Sequence, residues 1–436
     1  MCSYYFTLGP RSLRRNPALT ALMVLTLAIG VAASVSTLTI LHMMSGDPIP
    51  HKSDRLFVPI FDVAPVDNYK PGDKLRESQV TYQDVMNLLK SGQGVRRTGL
   101  YGIAAPIEPP RKDLPAFSAQ GVAPTRDFFA MFDVPFIRGQ AWSAQDDERG
   151  ADVVVLSRAI AEKLYGETNP VGQRINVMGF PFTVVGVIDK WTPQPRYYKL
   201  VGGEQFGKGE EFFIPLASAI RHETTHNGGM NCSERSDPGF QGTLRSNCTW
   251  MQFWFETASS GERAQLQSYI DSYAAEQRKL GRMKRAAPNH LFNVNEWMEE
   301  RKVVGKDTKL SAWLAFGFLL LCLVNTIGLL LAKFSVRAAE VGIRRALGAS
   351  RREIFRQFLI ESAVVGLAGG VLGLVLAFGA LALIAMQSSE VAVVAHMDLT
   401  MLAFTFAMSV FAAVLAGLLP TWRACQVTPA LQLKSQ

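Results

Sequence analysis

Charged side chains are sparse in this 436-residue sequence, and four long stretches lack them altogether. Asp, Glu, Lys and Arg make up 19% of the residues, whereas 48% are hydrophobic. The uncharged stretches are residues 18–41, 310–332, 362–387 and 399–419. Each is long enough for a membrane helix, because about 20 apolar residues cross the hydrocarbon core of a bilayer. The sequence therefore excludes a single soluble domain and predicts four transmembrane helices. The first run exceeds the roughly 7–15 apolar residues of a signal peptide, so we expect it to be retained.

Basic residues are unevenly distributed among the segments that connect these four runs. Segments 1–17, 333–361 and 420–436 carry Lys or Arg, whereas the short segment 388–398 has two acids and no basic residue. Lys and Arg are enriched on the cytoplasmic side of membrane proteins. We therefore predict that both termini and the 333–361 segment are cytoplasmic. The 388–398 loop and the large 42–309 segment should lie outside.

The 42–309 segment has the mixed pattern of an α+β domain. Residues 151–157 and 181–188 favour strands, and residues 158–165 between them favour a helix. Residues 261–283 read as a charged helix with a solvated face. The fold class that follows is an α-helical four-span membrane domain. A large α+β extracytoplasmic domain, with two subdomains by its length, is inserted between spans 1 and 2.

Small residues recur four positions apart within the predicted membrane helices. Such pairs let helices approach closely, although glycine is also simply common in membrane helices. The three pairs are Gly30 with Ser34, Gly366 with Gly370, and Gly369 with Gly373.

Cysteine is scarce, with five residues in the chain. Cys232 and Cys248 both fall in the outer segment, where an oxidising compartment favours a disulfide between them. Two separate thiols are the alternative.

Two short motifs resemble enzyme signatures. Residues 202–208 fit the first part of a phosphate-binding loop, but Gly209 replaces the Ser or Thr that would bind magnesium. His222, Glu223 and His226 match the zinc-peptidase pattern HExxH. Two threonines and the following Asn-Gly-Gly disfavour the helix that this pattern needs. We expect a plain surface loop there, with a non-catalytic metal site as an alternative and a membrane-anchored zinc peptidase as the least favoured one.

The 333–361 segment, which we call the elbow, has the local chemistry of two helices joined by a tight break. Gly348 is suited to a helix C-terminus, since glycine enters the left-handed region without steric cost. Ser350 and Glu353 form the pattern of a capping box. One short helix should end near Leu347, and the next should begin at Arg351. A loop that only sets topology is the alternative to a docking site.

The sequence EVGIRRALGASRREIFRQFLIE, residues 340–361, resembles the signature of FtsX/MacB-like permeases. These are membrane subunits of the mechanotransmission class, type VII, of ABC transporters. RSLRRNPALTALMVLTLAIGVAAS is similar to their first span, and DFFAMFDVPFIRGQAWSAQDD to their periplasmic core domain. LLPTWRACQVTPALQLK is similar to their terminal segment.

The resemblance implies a periplasmic domain of Porter and Sabre subdomains and a coupling helix that docks on a cytoplasmic ATPase. Carried onto this sequence, the coupling residues are Glu340, Ile343, Arg344, Arg345, Leu347, Gly348 and Ser350. The chain itself is expected to be no enzyme and to hold no cofactor, with ATP and magnesium bound by a separate ATPase subunit.

The implied function is that of a multi-pass permease in the bacterial inner membrane that drives export or extraction of an amphipathic substrate. A mechanotransmitter that controls a periplasmic enzyme is the alternative. Expected partners are the ATPase, a second permease subunit and membrane lipids, with an adaptor and an outer-membrane channel as further candidates. No nucleic acid is expected.

Overall fold

The computed structural model describes residues 17–387 except 68, 71–76, 112, 202–204, 233 and 287, together with six isolated positions between 403 and 418. The predicted terminal segments, the 388–398 loop and most of the predicted fourth span at 399–419 lie outside these residues. The chain divides into two compact units. We call Met1–Ser45 with Val304–Gln436 the helical unit, and Gly46–Val303 the sheet unit.

The α-helices are numbered in chain order. They are α1 (Pro17–Ser45), α2 (Tyr82–Leu89), α3 (Asp127–Met131), α4 (Ala144–Arg149), α5 (Arg158–Tyr165), α6 (Leu216–Arg221), α7 (Gly239–Arg245), α8 (Arg263–Lys279), α9 (Val294–Glu300), α10 (Lys306–Val336), α11 (Ala338–Ala346) and α12 (Arg351–Gln387). Short 3₁₀ turns occupy Tyr197–Lys199 and Ser260–Glu262.

The strands all belong to the sheet unit. They are β1 (Leu56–Ile60), β2 (Val80–Thr81), β3 (Arg96–Glu108), β4 (Phe117–Pro124), β5 (Phe136–Gly139), β6 (Val153–Ser157), β7 (Arg174–Val177), β8 (Phe180–Ile188), β9 (Phe212–Phe213), β10 (Thr249–Glu256) and β11 (His290–Asn293).

In the part of the chain that the structure describes, three helices are long and apolar enough to cross a membrane. These are α1, α10 and α12, and each is longer than the uncharged run that predicted it. The apolar core of α10 begins after a charged first turn, and α12 starts with a charged stretch at Arg351.

One continuous sheet organises the sheet unit. Its strand order is β11-β1-β10-β3-β4-β9-β6-β8-β5, and β7 pairs with both β8 and β3. The path from β3 through β4, β9, β6, β8 and β7 therefore returns to β3 as a closed ring of strands. Helix α5 follows β6 directly, and β6 pairs in parallel with β8. The strand–helix–strand order that the sequence predicts for residues 151–188 is therefore present.

The expectation of a solvated charged helix at 261–283 is only partly right. The helix α8 is shorter, and it buries Leu266, Ile270 and Ala274 while its other faces stay polar. These three apolar residues recur every four positions, which places them on one face of a helix. That face joins the core of the sheet unit.

The chain enters and leaves the sheet unit through neighbouring strands. β1 runs antiparallel to β11, with Phe57 opposite Asn293 and Ile60 opposite His290. Next to this pair, the Asn295 side-chain amide donates a hydrogen bond to the Asp47 carboxylate at 3.0 Å. The two ends of the unit are thus fixed to each other.

A buried carboxylate organises part of the loop-rich 189–250 region. Glu210 is fully buried and bonded by Arg196, with the Lys199 ammonium at 3.0 Å and the Tyr198 hydroxyl donating at 2.9 Å. These two cations hold the pKa of Glu210 down at about 2, against the desolvation that alone would raise it. Tyr198 also contacts the aromatic side chains of Phe128 and Trp191.

Cys232 and Cys248 form a disulfide in the sheet unit. The bond is flanked by backbone pairing between Asn231 and Thr249, at 2.9 and 2.8 Å. The two cysteines are 16 positions apart, and the segment between them is closed at its base by a covalent bond and two hydrogen bonds.

Candidate functional site

The elbow forms the break between two helices that its sequence predicts. α11 ends at Ala346, Gly348 adopts the left-handed conformation with φ +99°, and α12 begins at Arg351. The Ser350 amide donates to the Glu353 carboxylate at 3.0 Å, and the Glu353 amide donates back to the Ser350 hydroxyl at 3.3 Å. This capping box satisfies amides that the first turn of a helix leaves unpaired.

The apolar residues of the elbow divide into an inner and an outer pair. Ile354 and Phe358 are buried, and the Phe358 ring lies 4.3 Å from that of Phe334 on α10. In contrast, the side chains of Ile343 and Leu347 are 60% and 83% exposed. Ile343 and Leu347 are four residues apart, and the Leu347 amide donates to the Ile343 carbonyl, so both lie on one helical face. The elbow therefore presents an exposed apolar pair.

Two of the predicted charged contacts of the elbow, Glu340 and Arg344, are already engaged within it. Arg344 forms an ion pair with Glu340 at 2.7 Å and donates a hydrogen bond to Gln357 at 3.1 Å. The side chain of Arg345 is outside the described part of the structure. An arginine that is held in this way presents its remaining guanidinium donors in a fixed position.

Three charged residues that the sequence pattern did not single out meet at the base of the elbow. The Lys333 ammonium lies 2.6 Å from the Glu361 carboxylate, and the Arg337 guanidinium lies 3.0 Å from it. The Lys333 and Glu361 side chains are 0% and 4% exposed. In the sequence they are loop charges at the two ends of the elbow. Their signal was their position beside uncharged runs, where an ionisable residue is costly unless it is paired.

Two of the predicted small-residue pairs, Gly30 with Ser34 and Gly369 with Gly373, lie at helix contacts in the helical unit. A Cβ atom on Gly30 of α1 would stand 2.8 Å from the Cβ of Cys322 on α10. The Ser34 hydroxyl donates to the Ala315 carbonyl at 3.0 Å. On α12, a Cβ on Gly369 or Gly373 would stand 3.0 Å from a side chain of α1. Gly366 and Gly370 are also buried.

Replacing Gly30 by valine is expected to destabilise the helical unit by about 1–3 kcal/mol, the usual cost of overpacking. The new side chain would collide with Cys322 and separate α1 from α10. Thermal unfolding of the detergent-solubilised chain measures the effect. Gly328→Val is the matched control, because no atom of the residues that the structure describes lies within 4 Å of a Cβ at that helical glycine. Equal loss of stability in both variants would contradict this role of Gly30.

The HExxH residues do not share one face of a helix. α6 ends at Arg221, so His222 follows it, and Glu223 has a positive φ of 50°. His222 Nε2 lies 2.8 Å from Asp152, and the Glu223 carboxylate accepts a hydrogen bond from Gln241 at 2.9 Å. His226 instead forms an isolated β-bridge with Ile103. The arrangement that a zinc peptidase requires is therefore not formed. Within the described ranges, no group of three His, Cys, Asp or Glu side chains is placed to bind a metal.

The sheet unit also contains a cleft of about 880 Å³ with a mixed lining. Its apolar side comes from Met86 and Leu89 at α2 and from Ile220 at α6. Burial raises the pKa of Asp147, whose carboxylate accepts a hydrogen bond from the Trp142 indole at 2.7 Å. The other charged residues of the lining are Lys90, Arg97, Arg126, Asp127, Glu148 and Arg221. This lining suits a ligand with both apolar and charged parts.

Comparison with known proteins places both units in recognised families. Residues 20–273 match the model of the MacB-like periplasmic core domain, and residues 312–429 match that of the FtsX-like permease C-terminal region. The macrolide export ATP-binding/permease protein MacB of Rhodopirellula baltica is 25% identical over 83% of this chain and 52% of its own length. The pyoverdine export ATP-binding/permease protein PvdT of Pseudomonas syringae is 27% identical over 71% of this chain and 42% of its own.

The chain thus spans about half the length of these curated relatives, or less. Among solved structures, the periplasmic region of MacB from Actinobacillus actinomycetemcomitans aligns with 58% of this chain and 94% of its own. That alignment has 14% identity and a TM-score of 0.36.

Proposed function

The chain belongs to the FtsX/MacB-like permeases of ABC transporters, membrane proteins with a large extracytoplasmic domain, and from this we propose that it couples ATP hydrolysis in a separate cytoplasmic subunit to export. The observation that carries the proposal is the exposed apolar pair, Ile343 and Leu347, on a basic elbow. Aliphatic side chains exposed on a short helix between two membrane-length helices gain free energy when a partner covers them.

In this proposal the elbow docks on an ABC-type ATPase, which binds ATP and magnesium. Residues 18–41, 310–332, 362–387 and 399–419 are four spans, and residues 42–309 are inserted outside between the first and the second. Both termini are cytoplasmic in the bacterial inner membrane. A second permease subunit pairs with this one, and an adaptor and an outer-membrane channel are candidate further partners.

The substrate class we propose is an amphipathic compound handled on the outer side. The mixed lining of the cleft supports this, because an apolar wall from α2 and α6 lies next to the basic side chains of Arg97 and Arg126. A ligand site commonly combines apolar walls with a few polar groups that set orientation. Movement of the elbow would change the conformation of the sheet unit, because α1 and α10 are the helices that precede and follow this unit in the chain.

The test is whether this chain assembles with an ABC-type ATPase subunit from its source organism. Both proteins are co-expressed, and the complex is purified through a tag on the permease and reconstituted in lipid nanodiscs. We expect equal amounts of the two subunits and faster ATP hydrolysis than by the ATPase alone. Recovery of the permease without the ATPase, with no change in hydrolysis, would refute the proposal.

A further inference from the structure

The buried charges at the base of the elbow connect the two helices between which the elbow is held. Lys333 lies in the last turn of α10, and Arg337 caps the end of that helix. Glu361 lies within α12, at the C-terminal end of the elbow. Both cations contact the same carboxylate, at 2.6 and 3.0 Å. We call these three residues the stem cluster.

The side chains of Lys333 and Arg337 are both largely buried, although a long side chain at the end of a helix can usually reach solvent. Lysine at the end of a membrane helix usually extends its ammonium group towards the interface. Lys333 does not, since its side chain is fully buried against Glu361. Arg337 is 12% exposed and donates to both oxygens of Glu361, at 3.2 and 3.0 Å. The side chains thus give up hydration for contact with one another.

A buried ion pair is a poor choice if stability alone matters. Desolvation offsets much of the attraction, and apolar residues of similar volume are often as stabilising or more so. What a directional ion pair adds is a defined geometry, and here it adds to an aromatic contact that already joins the same helices. Phe334 and Phe358 supply that contact, with ring centroids 4.3 Å apart.

We propose that Glu361 is a positioning residue that locks α10 to α12, so that displacement of the elbow moves both helices together. The inference rests on the proposed coupling function and assigns a new role within it. Without these ion pairs, a force on α11 would only separate the end of α10 from the start of α12. With them, the same force reaches α10, which continues into the sheet unit.

The first test measures the contact between α10 and α12 at Phe334 and Phe358 and needs no ATPase. Cysteines replace Phe334 and Phe358 in a chain whose Cys2, Cys322 and Cys425 are changed to serine, and a short bifunctional maleimide is applied to membrane vesicles. Glu361→Gln is expected to lower the cross-linked fraction several-fold. Exchange of the charges, Lys333→Glu with Glu361→Lys, is expected to restore part of it, because the new pair forms while Arg337 then faces a lysine. Cross-linking that is unchanged by Glu361→Gln would overturn the proposal.

The second test separates the lock from docking. The chain with its native cysteines is reconstituted with the ATPase subunit used in the assembly test. The change in hydrogen exchange of residues 46–303 on addition of ATP is then measured. Glu361→Gln should keep ATPase binding, because Ile343 and Leu347 are unchanged, but should lose most of that ATP-dependent change. Glu353→Gln is the matched control, since glutamine also completes a capping box.

The outcomes distinguish the two proposals. A Glu361→Gln chain that responds to ATP as the wild type does would overturn the positioning role. A wild-type chain that binds no ATPase would instead refute the proposed function, and the cross-linking result would still decide whether Glu361 locks α10 to α12.

Discussion

Aspartate at both Ile343 and Leu347 is expected to reduce the ATPase recovered with this chain to background. The two side chains form an exposed apolar pair on one face of the elbow. Burial of an aliphatic side chain of this size contributes about 2 kcal/mol. Loss of two such contacts corresponds to roughly a thousandfold weaker binding, and a buried carboxylate would add a desolvation cost. Tagged co-purification and ATPase stimulation in nanodiscs measure the effect.

The matched control is Leu280→Asp. Leu280 is also a highly exposed leucine, at 71%, but it lies in the sheet unit. That variant should recruit the ATPase normally. Undiminished recruitment by the double elbow variant would show that the ATPase docks elsewhere on the chain.

Charge reversal of Arg344 and Arg345 should also weaken recruitment of the ATPase, both by removing basic contacts and by disturbing the elbow itself. Arg344 is paired with Glu340 at 2.7 Å, so Arg344→Glu also places like charges four residues apart on one helix. The apolar pair therefore gives the sharper result, because its replacement leaves the internal ion pair intact.

Replacing Glu210 by alanine is expected to destabilise the sheet unit by about 3–5 kcal/mol, the usual cost of removing one partner from a buried ion pair. Arg196 and Lys199, whose side chains are 9% and 8% exposed, would lose the carboxylate that compensates their burial. Denaturant unfolding of the full chain in detergent, followed by tryptophan fluorescence, measures this. The control Glu234→Ala removes the exposed pair with Lys284 and should cost at most about 1 kcal/mol.

The same carboxylate predicts how stability depends on pH. The pKa of Glu210 is about 2 in the fold and 4.5 ordinarily, so folding favours its charged form. Its stabilisation is complete above about pH 4.5 and is lost as the pH falls towards 2, a change of about 3 kcal/mol. The acid loss should be smaller in Glu210→Gln. If wild type and Glu210→Gln lose stability equally between those pH values, this origin of the acid sensitivity is wrong.

The features that sequence predicts well here depend on neighbours within a few residues. The capping of α12 by Ser350 and Glu353, and the helix end at Gly348, follow from side chains that contact their own backbone. The membrane-length helices α1, α10 and α12 follow from uncharged runs that extend over several turns. The identification of the permease family rests on a similarly continuous motif.

Several features that bring distant segments together were not predicted. Lys333 and Glu361 appear in sequence as the outer charges of a loop, and only the folded elbow, with the short helix α11 between them, places them 2.6 Å apart. Glu210 lies in a Gly-rich stretch with no periodicity, so its two buried cations could not be foreseen. The separation of Ile343 and Leu347 from Ile354 and Phe358 also needed the fold, because in the sequence all four are apolar residues that recur at helical spacing.

The pairing of β1 with β11 has a consequence for how such a chain can evolve. The sheet unit begins and ends at adjacent strands, so its two ends lie side by side, as in a domain that can be inserted or replaced as a whole. Another domain with neighbouring termini fits the same junction without altering either flanking helix. The sheet unit can therefore change in evolution while the sequence of the helical unit stays the same.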